Sequence, residues 1–185
     1  MRRSILMALI MMGHCDIYAA GAPSETPSGS APCHGDEFHQ FDFWVGNWDS
    51  FDREGQLQGR LLVERILGEC ALQEWWRGSD GATGTSLTIW DGSRKVWNQT
   101  WVSSRGTLLP LEGYKVGSSM VLIGMHMGPA GQAQLHRTIW TPGTGGSVHQ
   151  LWDYSTDGGK TWLVNYDGYL RPSKLTFQKD GASSH

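Results

Sequence analysis

Residues 41–49 read Phe-Asp-Phe-Trp-Val-Gly-Asn-Trp-Asp, and the Gly46-x-Trp48 pair inside them decides how the chain is read. A glycine and a tryptophan two apart in a first β-strand suit the end of a barrel. The glycine lets another backbone approach closely, and the indole can plug the floor. On the N-terminal side, residues 21–32 (Gly-Ala-Pro-Ser-Glu-Thr-Pro-Ser-Gly-Ser-Ala-Pro) have no apolar periodicity and read as a solvated linker, part of a flexible spacer over 21–37. Before them, Arg2 and Arg3 precede an uncharged apolar run from Ile5 to Met12 and the small residues Ala19-Ala20-Gly21. That order predicts a cleavable signal peptide over 1–20, removed after Ala20, and hence a periplasmic or secreted protein. The run is too short for a membrane anchor. Lipid attachment at Cys15 would want a small residue where His14 stands.

On the C-terminal side, short apolar-aromatic runs alternate with glycine-rich turns up to about residue 178, and 179–185 reads as a loose tail. Strands are expected near 43–52, 58–67, 70–78, 84–91, 95–103, 107–115, 119–127, 133–141, 147–155 and 161–170. The separators Asp91-Gly92, Arg105-Gly106, Gly128-Pro129, Gly143 to Gly146 and Gly158-Gly159 supply positive φ or a fixed φ. The segment from Arg60 to Leu72 would also tolerate a helix, but Gly68 favours two strands across a turn. Ten consecutive short-looped strands without a fixed-period repeat predict an all-β fold: one closed up-and-down antiparallel barrel over 38–178, which leaves no open edges.

The chain has 185 residues and a net charge of −3; loss of Arg2, Arg3 and Asp16 with the leader lowers it to −4. With no basic run, nucleic acid is not an expected partner. Of three cysteines, Cys15 lies in the leader. Cys33 and Cys70 are then most simply one disulfide, tying the N-terminal segment to the end of an early strand.

Tryptophan is the compositional outlier, with ten residues, all at or after Trp44. Trp97, Gln99 and Trp101 share a strand face, as do Gln150, Trp152 and Tyr154, and Glu74 and Trp76; His136, Thr138 and Trp140 lie opposite Leu135, Arg137 and Ile139. Some indoles must be core filler. A barrel of ten strands can nevertheless be too wide for side chains to fill, leaving a cavity walled by aromatics with a few polar groups.

Ser155-Thr156-Asp157-Gly158-Gly159-Lys160-Thr161-Trp162 matches the Asp-box pattern S-x-D-x-G-x-T-W. The pattern recurs in sialidases and other glycan-handling propellers, but one copy cannot build a propeller. Ser155, Asp157, Gly159 and Trp162 are read as a structural turn, the carboxylate accepting backbone amides while the indole packs beneath. No nucleophile elbow or phosphate loop is present. His34, Asp36, Glu37 and His39 have metal-ligand chemistry but sit in the spacer, so no metal site is assigned. His126, His136 and His149 fall on expected strands. Glu64, Glu74, Glu112, Asp153 and Asp167 show no spacing that forces a hydrolytic carboxylate pair.

Taken together, residues 41–48, Glu64-Arg-Ile-Leu-Gly-Glu-Cys70 with Glu74 and Trp75, Trp97-Asn-Gln99-Thr-Trp101, Leu111-Glu-Gly113, and Gln150-Leu-Trp152 before the Asp box resemble uncharacterised secreted bacterial proteins of the FDFWxGxW type. These form a domain-of-unknown-function family in the lipocalin-like (calycin) group. The resemblance spans roughly Cys33 to Arg171 and implies a lipocalin-like β-barrel and a Cys33–Cys70 pairing, but no activity. Gly46-x-Trp48 also resembles the opening of true lipocalins and of nitrobindin haem barrels, which implies a late histidine ligand; His149 is the candidate, with His136 upstream.

The leading expectation is an exported barrel of unknown physiological role binding a small apolar or aromatic molecule. Trp97, Gln99, Trp101, Arg137, Gln150 and Trp152 are its expected lining residues, with no cofactor required. The alternatives are an isomerase, cyclase or hydrolase using Glu74 or His136 as acid/base and Arg137 to stabilise an anion, a nitrobindin-like haem protein, or a structural role in the envelope.

Overall fold

A computed structural model describes residues 33–128 and 130–179. The expected leader over 1–20, most of the spacer, Pro129 and nearly all of the C-terminal tail lie outside the described residues.

Ten antiparallel strands form the fold: β1 (Gly46–Phe51), β2 (Leu57–Ile66), β3 (Ala71–Gly78), β4 (Thr83–Asp91), β5 (Val96–Ser103), β6 (Leu108–Val116), β7 (Ser119–Met127), β8 (Ala133–Pro142), β9 (Val148–Ser155) and β10 (Leu163–Pro172). Each pairs with its sequence neighbour, and β1 closes the ring against β10 through pairs such as Trp48 with Pro172 and Ser50 with Leu170. The result is a closed ten-stranded up-and-down β-barrel with no sheet edge left open among the strands. The segment from Arg60 to Leu72 is two strands, joined where Leu67, Gly68 and Glu69 all take positive φ.

The first strand begins later than the sequence pattern suggests. Asp42–Trp44 forms a 3-10 turn instead, and a second one, Asp36–His39, straddles the expected boundary between spacer and barrel. These turns carry Phe41 and Trp44, both fully buried, into one end of the barrel. Phe41 stacks on Trp44 at 4.9 Å and meets Trp140 and Trp97 edge-on at 5.1 and 5.7 Å. Burying each such ring stabilises the fold by about 1.5–3 kcal/mol, and together the four make a floor. The Cys33–Cys70 disulfide lies at this end, tying the N-terminal segment to the β2–β3 turn.

Gly46 serves the floor in a different way from the one its spacing suggested. The atoms nearest to a Cβ placed there belong to the Trp48 ring, with Cζ2 at 2.9 Å. The indole folds back over its own strand, and its Nε1 donates to the Trp44 carbonyl at 3.0 Å.

The Asp box closes the β9–β10 hairpin. Asp157 Oδ1 accepts the amides of Lys160 and Thr161 at 3.0 and 2.9 Å, and Ser155 Oγ accepts that of Gly159 at 2.8 Å. The Thr161 hydroxyl, donating to Oδ2 at 2.6 Å, with the Thr161 amide, the Ser155 hydroxyl and the Lys160 amide, holds the Asp157 carboxyl well below the usual carboxylate range. Trp162 donates from Nε1 to the Gly159 carbonyl, and its ring lies 3.9 Å from the Arg137 guanidinium carbon.

Candidate functional site

Above the aromatic floor the barrel stays hollow. A cavity of about 510 Å³ runs from Trp140 and Leu111 to a mouth bordered by the β3–β4 and β5–β6 loops, where Asp80 and Arg105 pair at 2.6 Å. Its walls carry Trp76, Trp101, Trp152, Tyr166 and Leu109, with Glu74, Gln99, Gln58, Thr138, Gln150 and Asn165 as polar groups.

The lumen remains open where three of its rings lie against glycines. Trp76 rests over Gly59, where a Cβ would stand 2.7 Å from the indole; Trp101 covers Gly84 and Tyr166 covers Gly168 more tightly still. Each ring occupies the space of a missing side chain, so it spreads along the wall instead of projecting across the barrel. Tyr166 is held further by Ser50, whose hydroxyl bonds to its Oη, and meets Trp76 edge to face at 5.5 Å.

Glu74 is the buried carboxyl of this cavity. Ser86 Oγ lies 2.8 Å from its Oε2, and Gln99 Nε2 donates to Ser86 Oγ at 3.3 Å and to Thr88 Oγ1 at 3.1 Å. Because Ser86 already accepts from Gln99, its own hydrogen points at Glu74. Burial pushes the Glu74 carboxyl up to about 7, and the Ser86 hydrogen bond pulls the other way.

A second polar group lies on the inner faces of β7, β8 and β9. Trp152 Nε1 donates to His136 Nδ1 at 2.8 Å, while Gln134 Oε1 lies 3.3 Å from His136 Nε2. The indole can only donate, so Nδ1 is the bare nitrogen and Nε2 carries the hydrogen. His126 meets this ring edge-on at 5.7 Å. Burial, with His126 adding to it, holds His136 below its ordinary pKa.

Among the residues expected to line a site, the structure brings Gln99, Trp101, Gln150 and Trp152 to the cavity wall. Trp97 is instead part of the floor, 2% exposed, with its Nε1 donating to Gln40 at 3.2 Å. Arg137 is on the opposite face of β8 from His136, forked onto Asp153 at 3.1 and 2.6 Å beneath Trp162. Glu74, His136 and Arg137 therefore do not converge.

His149 points away from the lumen. It bonds Asp167 at 2.6 Å and stacks on Tyr169 at 4.6 Å. His136 has both ring nitrogens engaged and His149 faces outward, so neither candidate offers a ring nitrogen to a haem iron inside the barrel. Among the described residues, no group of three or more His, Cys, Asp or Glu side chains gathers as a metal site. No helix among them is long and apolar enough to cross a membrane.

Sequence reasoning passed over Trp76, Trp140 and Tyr166 as lining residues. Strand alternation signals the first two, since Glu74 and Trp76 share a face, as do Thr138 and Trp140. For Tyr166 the alternation is broken by a bulge between Val164 and Tyr166.

No protein-family model matches this chain, and no curated protein matches it either.

Proposed function

We propose that this chain is an exported barrel that holds a small, largely apolar or aromatic molecule in its lumen. One observation carries the reading: three large rings, Trp76, Trp101 and Tyr166, are seated on glycines and leave a cavity of about 510 Å³ between them. A barrel selected only for stability would fill that volume, because empty space forfeits dispersion contacts. The size falls within the range of about 300–1,000 Å³ common for small-molecule sites, and the mix of aromatic walls with a few polar groups is their usual constitution. Export rests on the Cys33–Cys70 disulfide, which suits an oxidising compartment, and on the leader-like residues 1–20. Membership of the secreted lipocalin-like group is part of the same proposal.

Titration with N-phenyl-1-naphthylamine, a neutral apolar fluorophore, tests the reading. Saturable binding at one site, with enhanced probe emission and quenching of tryptophan fluorescence, is expected. Absence of saturable binding by any small aromatic probe overturns it. A catalytic reading would rest on Glu74, the member of the proposed acid-base set that lines the cavity.

A further inference from the structure

The cavity holds a charge imbalance that narrows the chemistry of its ligand. Its charged lining residues are Glu74, Asp80 and Arg105, and the last two satisfy each other at the mouth. Glu74, deep inside, has Ser86 of β4 on its Oε2, Gln99 of β5 behind that serine and Tyr166 of β10 nearby, and no cation among the lining residues is bonded to it. The hydrogen-bond chain from Gln99 through Ser86 delivers a donor to Oε2, so Glu74 is arranged as an acceptor. Its Oε1 bonds to nothing among the described residues. The same cavity is walled by the indoles of Trp76, Trp101 and Trp152 and the phenol of Tyr166.

Electron-rich rings and an unpaired carboxylate reward the same partner. A cation gains from the ring quadrupoles and supplies the missing countercharge, whereas an anion is opposed by both. We propose that the lumen is a site for an organic cation: an alkyl- or arylalkyl-ammonium whose nitrogen lies against Glu74 and whose hydrocarbon part lies along the indoles. This rests on the lumen being a small-molecule site at all, and goes further by naming the ligand class.

Proton linkage follows. Burial keeps the carboxyl protonated to about pH 7 in the free protein, and an adjacent ammonium pulls its pKa down, so binding below that pH releases a proton. His136, on the inner face of β8 against Trp152, is held below its ordinary value by burial. Burial raises the Tyr166 hydroxyl above its ordinary value, and hydrogen bonds from the Ala82 amide and Arg105 lower Asp80.

The experiment compares 2-naphthylmethylammonium, 2-naphthylmethanol and 2-naphthoate by titration calorimetry between pH 5 and 8, where the ammonium stays charged. We expect the ammonium to bind about tenfold or more tighter than the alcohol at pH 7.5, the preference shrinking toward pH 5. E74Q should bring the ammonium down to the affinity of the alcohol. In wild-type protein at pH 6.5, buffers of different ionisation enthalpy should register release of about half a proton or more per ammonium bound. Equal or tighter binding of the alcohol or naphthoate overturns the proposal while leaving the small-molecule site intact. So does an ammonium preference that survives in E74Q, or binding without proton release. Failure of all three probes overturns the site itself.

Discussion

The indole of Trp101 lies over the bare Cα of Gly84, diagonally across the β4–β5 pair, in the space a side chain at position 84 would need. The open lumen depends on this arrangement. In Gly84→Val the displaced ring has only the cavity to enter, because the strand backbone stands behind it. Affinity for a neutral naphthyl probe should fall about tenfold or more while the barrel stays folded. Probe titration alongside far-UV circular dichroism checks this; unchanged affinity would mean that the ring does not shape the site.

Glu74 sets a pH dependence of stability. Its folded pKa, about 7, lies above its ordinary 4.5, so the folded state binds more protons between these values. The contribution is fully present below about pH 4.5 and is lost as pH rises through about 7. Glu74→Gln removes that loss. The variant should gain on the order of 1–3 kcal/mol relative to wild type between pH 4 and pH 8, measured by urea unfolding at both. No change in the difference with pH would show that Glu74 titrates alike in the folded and unfolded protein.

His136 works in the opposite direction. It is held neutral by burial, with Trp152 donating to Nδ1. Unfolded chains take up a proton there below about pH 6.5 while the folded barrel resists. Stability from this residue is therefore full above about 6.5 and lost as pH falls toward the folded pKa. His136→Asn does not titrate, and its stability should decline less steeply on acidification. Histidine Cε1 proton shifts followed by NMR should show one imidazole titrating below its ordinary range.

Gly46 and Trp48 give a packing test. Gly46→Ala places a Cβ 2.9 Å from an indole that is already fixed by its bond to the Trp44 carbonyl, and should cost about 1–3 kcal/mol. Gly92→Ala, in a turn with open space around it, should stay within about 0.5 kcal/mol. Equal effects in urea denaturation would separate the glycine from the floor.

The Cys33–Cys70 bridge spans 37 residues of sequence and anchors the segment that carries Phe41 and Trp44 into the barrel. Its reduction should lower stability by about 2–4 kcal/mol, read from urea unfolding with and without reductant. An unchanged midpoint would mean that the floor packs without the tether.

Strand number and topology were readable in the chain because their signals are local. Period-two alternation and turn glycines act within a few residues, and each of the ten expected segments overlaps one strand. The start of β1 was misread because a 3-10 turn is as aromatic as a strand. Alternation also separates two of the candidate site residues: His136 and Arg137 are adjacent, so one strand cannot aim both inward.

The division between floor and cavity has a different origin. Trp97 and Trp101 share one face of β5, about 13 Å apart along it. Nothing in their spacing tells which is packed solid and which borders a void. That follows from where Phe41 and Trp44 enter the barrel, and from which rings find a glycine to lie on across a strand pair. Both depend on inter-strand register and on contacts between residues distant in sequence. The chain therefore encodes the barrel locally, while the depth, polarity and openness of its lumen arise only when all ten strands have closed.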